Sequence, residues 1–135
     1  MDSAEDPKTR AERELRQQVA VLGQKFLHRT RDQATSLREL TARLREGEVR
    51  APTQMQALTQ IQALTQIQEI AHKIHGSGAM FGFARISECA GDIETLCVDL
   101  TGAGAQTDCA MDSDSLERFS GALEQLERAV KDALA

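Results

Sequence analysis

The sequence lacks the large aromatic residues that commonly fill the core of a sheet protein. Among its 135 residues there is no Trp and no Tyr, and Phe occurs only four times. The core must therefore be built from Leu, Ile, Val, Ala and Met, a composition that favours helices over strands. At this length we expect one domain with one core.

Three further absences narrow the functional classes. No apolar run approaches the roughly 18 residues that a membrane span requires, and the opening MDSAEDPKTR has no apolar stretch like that of a signal peptide. The formal net charge is -5 and basic residues are scattered among acidic ones, which argues against nucleic acid as a partner. No GxxxxGK[ST] run is present to bind ATP phosphates. We expect a cytoplasmic protein that binds neither membranes nor nucleic acid.

Cysteine is also scarce. The three cysteines, Cys89, Cys97 and Cys109, cannot all pair with one another, and they lack the short spacings of zinc ligands. Small apolar side chains are the usual role of such isolated cysteines. We therefore expect buried thiols rather than a disulfide or a zinc site.

The spacing of the apolar residues is helical along most of the chain. Residues 1–10 are polar and aperiodic, so we expect a disordered tail there and a helical bundle over residues 11–135. Glycine and proline separate the predicted helices, at Gly47, Pro52, Gly82, Gly102 and Gly104. The sequence predicts an all-α protein, namely an antiparallel four-helix bundle with an additional N-terminal helix or helical extension.

A repeat precedes the central helix, because residues 56–61 and 62–67 both read QALTQI. Its apolar residues fall at every third position, and each step of three falls about 60° short of a helical turn. The stripe therefore winds around the helix, and Leu58 lies about 180° from Ile67. One flat core face cannot cover both residues. We predict self-association through the part left outside, which comprises Met55, Leu58 and Ile61.

His72 is the exposed candidate for chemistry on the central helix. It projects well off the apolar face, and the residues beside it on the helix are His75 and Gly76. A glycine inside a helix costs about 1 kcal/mol relative to Ala, and Gly76 and Gly78 fall within one turn. We interpret Gly76 as leaving access to the imidazole and Gly78 as permitting close helix packing. The alternative is that the Gly-Ser-Gly run simply ends the helix.

The run AHKIHGSG, from Ala71 to Gly78, resembles the motif of the histidine-containing phosphotransfer (HPt) domain. The similarity continues through Gly82, Ile86, Cys89, Ile93 and Glu94. It implies a four-helix bundle that carries phosphate on an exposed His72 between the aspartates of receiver domains. Such a phosphoprotein is an intermediate of a two-component phosphorelay and not itself an enzyme. Its partners are response-regulator receivers and a hybrid or sensor histidine kinase, and it needs no cofactor because the Mg²⁺ belongs to the receiver.

The resemblance also implies roles for residues around His72. Glu94 matches a position where the family often places Gln or Glu, so it is expected to accept a hydrogen bond from one ring nitrogen; a solvated carboxylate is the alternative. His75 stands where the family commonly has Lys to offset phosphate charge. Lys73 is the expected substitute, although it lies about 100° around the helix from His72. Ser77 belongs to the Gly-Ser pair of the motif.

Two other functions compete with phosphotransfer. Glu69, His72 and His75 follow one another at steps of three, and Glu-x-x-His occurs in the di-iron sites of helical bundles. The sequence offers no matching second set of ligands, so we expect no metal. The other alternative, suggested by the repeat, is an HPt-like dimerisation or scaffold module without phosphoryl transfer. The retained Ala-His and Gly-Ser pairs argue against that loss.

Overall fold

A computed structural model describes residues 6–49, 54–104 and 113–135 of the chain. These segments form four helices without a strand: α1 (Pro7–Val49), α2 (Gln54–Met80), α3 (Ala84–Gly104) and α4 (Ser113–Leu134). Consecutive helices pack on one another and α1 packs on α4, which closes a four-helix bundle. The predicted all-α fold is confirmed. None of the helices in these ranges is long and apolar enough to cross a membrane.

The predicted N-terminal addition is the first part of α1. This helix has 43 residues, whereas α4 has 22, and every residue from 6 to 22 is exposed. The first buried position is Gly23, so the preceding turns extend beyond the bundle. Of the predicted disordered tail, residues 1–5 lie outside the described residues and residues 7–10 form the first turn of α1. Pro7 suits this place, because the first N–H of a helix has no partner within it.

The core is aliphatic, with a small aromatic cluster at one end. Each helix contributes side chains that are at most 2% exposed, among them Leu37, Ile74, Ile93 and Leu126. Burying each such side chain stabilises the fold by about 2 kcal/mol. Beside the turn between α2 and α3, the Phe26 ring stacks on Phe83 at 5.7 Å and is tilted against Phe81 at 5.6 Å. These rings anchor α1 to the end of the α2–α3 pair.

A glycine turn reverses the chain between α2 and α3. Gly82 has φ of 82°, a conformation that glycine adopts without strain. The amide of Phe83 donates to the Gly78 carbonyl at 2.8 Å, and that of Gly82 donates to Ala79 at 3.3 Å, which is a Schellman motif. The turn predicted near Gly82 is confirmed. The Gly-Ser-Gly run does not end the helix, because α2 continues through it to Met80.

The repeat lies in the first half of α2, which is one continuous helix. Leu64 and Ile67 are buried, whereas Leu58 is 56% and Ile61 is 38% exposed. The winding of the apolar stripe around the helix accounts for this difference. The side chain of Met55 lies outside the described residues.

Cys89 and Cys97 are buried thiols, as the sequence predicts, and neither is in a disulfide. Burial raises the pKa of both thiols, and that of Cys97 reaches about 12, with a smaller contribution from the negative charge of Glu94. Both thiols are therefore neutral in ordinary buffers and act as small apolar groups. Cys109 lies outside the described residues.

Candidate functional site

His72 presents its imidazole on the outer surface of α2. The side chain is 72% exposed, and its Nδ1 lies 2.9 Å from Oε2 and 3.2 Å from Oε1 of Glu94 on α3. An ionised carboxylate only accepts hydrogen bonds, so this contact assigns the ring proton to Nδ1. The Nε2 atom then carries a lone pair. Glu94 thus fixes the tautomer of the exposed ring, and Nε2 of His72 is the nitrogen that can act as a nucleophile.

The core residues next to His72 and Glu94 determine where these side chains point. His72 follows Ala71, which is fully buried, and Glu94 follows Ile93, which is 2% exposed. Burial of Ala71 and Ile93 fixes the rotation of α2 and α3 about their axes. The next residue on each helix then points about 100° away from the buried one. Both therefore emerge on the same side of the helix pair, where a carboxylate on α3 can reach the ring on α2.

Gly76, one turn beyond His72, leaves open space beside the ring. A Cβ atom placed on it would meet nothing within 4 Å. On Gly78, by contrast, a Cβ would lie 3.1 Å from the backbone nitrogen of Ser87 on α3. The packing interpretation of Gly78 is confirmed. At Gly76 the structure has the space that access to His72 requires.

His75 is turned toward α3 and held there. Its Nδ1–H donates to the backbone carbonyl of Ser87 at 2.8 Å, and the Ser87 hydroxyl donates to the backbone carbonyl of His75 at 2.8 Å. The ring lies close against Gly91, where an added Cβ would be only 3.0 Å from Nδ1. The contacts of His75 with Ser87 and Gly91 were not predicted from the sequence. The feature that could have indicated them is a pair of small residues four positions apart on α3, a spacing that leaves room for a side chain from a neighbouring helix.

The other predicted site residues lie apart from the pair formed by His72 and Glu94. Lys73 is exposed, and it lies about 100° from His72 around α2. Ser77 is half-buried about 140° from His72, and its backbone carbonyl accepts a hydrogen bond from the amide of Phe81. The structure therefore brings together His72, Glu94 and the open space at Gly76. No group of three or more His, Cys, Asp or Glu side chains in the described segments is arranged to hold a metal ion.

Among the models of known protein families, that of the Hpt domain matches residues 12–133 of the chain. No curated protein and no solved structure matches the chain significantly. Hpt domains are phosphocarrier modules that interact with receiver domains and histidine kinases in phosphorelays. Because the match spans almost the whole chain and coincides with a four-helix bundle, the chain belongs to the Hpt domain family and is a histidine phosphotransfer module.

Proposed function

We propose that His72 carries a phosphoryl group between receiver-domain aspartates in a two-component phosphorelay. The observation that supports this role is the state of the His72 ring, which is 72% exposed with Nδ1 held by Glu94. The partners are response-regulator receivers and a hybrid or sensor histidine kinase, all meeting this chain in the cytoplasm. Mg²⁺ and the aspartyl phosphate belong to the receiver, so the chain needs to supply little more than one accessible nucleophile.

The transfer step uses the lone pair on Nε2 of His72. It attacks the phosphorus atom of the aspartyl phosphate, a nitrogen–phosphorus bond forms, and the bond to the aspartate oxygen breaks to release a carboxylate. The imidazole keeps its proton on Nδ1 and becomes positively charged as the new bond forms. The Glu94 carboxylate, 2.9 Å from Nδ1, stabilises this positive charge. In the reverse direction the same charged ring is a good leaving group, so phosphate can move on to a second aspartate.

The rest of the site serves alignment and charge. Phosphoryl transfer requires the attacking and leaving atoms to lie in line, which demands a close approach of the receiver. The bare backbone at Gly76 permits that approach. Lys73 contributes a permanent positive charge near the ring. The Nδ1–H of His75 donates to the backbone carbonyl of Ser87, so this ring holds α2 against α3.

Phosphate transfer from a receiver domain tests the proposal directly. After incubation with a phosphorylated receiver, the wild-type chain should carry an acid-labile, base-stable phosphate, and His72→Gln should abolish it. His28→Gln is the matched control, because His28 is also exposed but lies on α1. Circular dichroism should show an intact bundle in both variants.

Two outcomes would contradict the assignment. Undiminished labelling of His72→Gln would exclude His72 as the phosphate carrier. Failure of every receiver domain of the same organism to label the wild type would favour the scaffold alternative.

A further inference from the structure

Exposed aliphatic side chains lie on the same face of α2 as His72. Leu58 is 56% and Ile61 is 38% exposed, although both belong to the apolar stripe of the repeat. At about 100° per residue, Ile61 lies about 20° and Leu58 about 40° from His72 around the helix axis. The helical rise places them about 17 Å and 21 Å from His72 along that axis. The repeat therefore extends the face of α2 that carries His72.

The neighbouring helix widens this apolar surface. Val98 lies one turn after Glu94 on α3 and is 49% exposed. Since α3 runs antiparallel to α2, residues after Glu94 lie on the same side of His72 as the repeat. On α2 itself, the Thr65 hydroxyl between Ile61 and His72 donates to the backbone carbonyl of Ile61 at 2.9 Å, so it is satisfied within its own helix. We call the three aliphatic residues, Leu58, Ile61 and Val98, the Leu58 patch.

The size of a protein interface places the Leu58 patch within reach of a partner on His72. A standard interface covers about 800 Å² of each protein, equivalent to a disc of about 16 Å radius. A partner centred between the patch and His72 would cover both, because the two are separated by about 17 to 21 Å along α2. The exposed Leu15 of α1 lies outside such an area, because it precedes Gly23, which lies against Phe83 beyond the end of α2 opposite the repeat. This position distinguishes the Leu58 patch from the exposed aliphatic residues of α1, which are Leu15, Val19, Val21 and Leu22.

We propose that the Leu58 patch is the apolar part of the docking surface for the receiver domain that exchanges phosphate with His72. This inference rests on the proposed function. The ring of His72 is polar and offers little apolar area of its own, whereas protein interfaces depend on a few aliphatic or aromatic contacts surrounded by a polar rim. The patch supplies those contacts, and His72 with Glu94 supplies the chemistry. A second copy of the chain, which the repeat alone predicts, is the competing occupant.

Transfer kinetics with a matched pair of variants test the docking patch. The probe is the receiver domain of the same organism that phosphorylates the wild-type chain fastest. Leu58→Glu should raise the half-saturating receiver concentration about tenfold, because it places a charge among desolvated apolar contacts. Leu15→Glu, at a residue of similar exposure (60%), should leave that concentration unchanged. Val98→Glu should reproduce the Leu58 effect from the neighbouring helix, which guards against a folding defect in one variant.

Sedimentation and a small-molecule phosphate donor complete the test. If neither Leu58→Glu nor Val98→Glu changes the half-saturating concentration, the patch does not dock the receiver. A wild-type dimer that Leu58→Glu dissociates without altering that concentration would assign the patch to a second copy instead. Labelling of the wild type and of His72→Gln with phosphoramidate reports on the phosphate carrier independently of docking. Labelled wild type with unlabelled His72→Gln keeps the proposed function even if the patch fails, whereas no labelling by either donor overturns both.

Discussion

Helix α2 has an inner face, which packs against α3, and an outer face, which is open to solvent. A glycine lies on each face, but the two glycines have opposite roles. On the inner face, Gly78 lets the backbones meet, since an added Cβ would lie 3.1 Å from Ser87. On the outer face, two positions earlier, Gly76 has nothing within 4 Å of where its Cβ would be. One glycine brings two helices together and the other keeps a surface bare. The role of each glycine in such a pair therefore depends on what lies next to it in the folded protein, and not on its place in the sequence alone.

The two histidines of α2 repeat this contrast. His72 and His75 are three residues apart, and each has its Nδ1 bonded to a partner on α3. The partner of His72 is a carboxylate, which can stabilise positive charge on an otherwise exposed ring. The partner of His75 is a backbone carbonyl, and the ring also packs against Gly91. His72 is thus set up for chemistry, while His75 joins the helices.

Substituting leucine for Gly76 and for Gly78 should give the largest difference between the two faces, because the two variants should change stability in opposite directions. Gly78→Leu should lower the free energy of unfolding by about 3 kcal/mol, because α3 backbone occupies the space that its side chain needs. Gly76→Leu should raise it by up to about 1 kcal/mol, since it removes a flexible residue from an exposed helix position. It should nonetheless slow transfer to His72 at least tenfold by crowding the ring. Urea denaturation and transfer rates measure the two effects, and a Gly76→Leu variant that transfers at the wild-type rate would contradict the access interpretation.

The free energy of unfolding should fall at alkaline pH because Cys97 is buried. In the unfolded chain this thiol loses its proton near 9.0, whereas in the bundle its pKa is raised to about 12. Its stabilising contribution is therefore complete below pH 9 and is lost as the pH rises from 9 toward 12. Between pH 8 and pH 10 the loss amounts to about 1 kcal/mol of unfolding free energy. Urea denaturation of wild type and Cys97→Ala at these two pH values isolates this thiol, because all other groups are common to both. Equal pH dependence of the two proteins would show that Cys97 is not buried as described.

His75→Lys should have the smallest effect on stability and transfer. It tests His75, which is exposed on α2 but bonded to Ser87 of α3. Loss of the bond to Ser87 should lower the free energy of unfolding by about 1 kcal/mol. At the same time lysine brings a permanent positive charge to the surface beside His72, where it offsets the negative charge of the phosphoryl group. Transfer to His72 should therefore rise several-fold in the variant. Unchanged transfer rates together with unchanged stability in urea would leave position 75 without a role in either packing or transfer.

Much of this architecture could be predicted from the order of residues. The helical spacing of apolar residues predicts α2, α3 and α4, and Gly82 marks the turn because glycine reaches a positive φ without strain. The winding stripe of the repeat predicts that Leu58 and Ile67 cannot share one core face, and the structure exposes the former and buries the latter. Self-association through the repeat stays a prediction. The bond from His75 to Ser87 was not predicted, because residues 12 positions apart meet here only through the packing of two helices.

The helical class, the exposure of His72 and the bare backbone beside it follow from the spacing of residues within single helices, so they could be predicted from the order of residues. Which α3 residues meet which α2 residues depends instead on how the two helices pack. The distance between His72 and Glu94 depends on how far α2 and α3 are rotated, and that rotation is fixed by burial of Ala71 and Ile93 against the rest of the core. The separation of the helices depends on the contact at Gly78. Local periodicity places a residue on a face, but only the packing of both helices places two faces in contact.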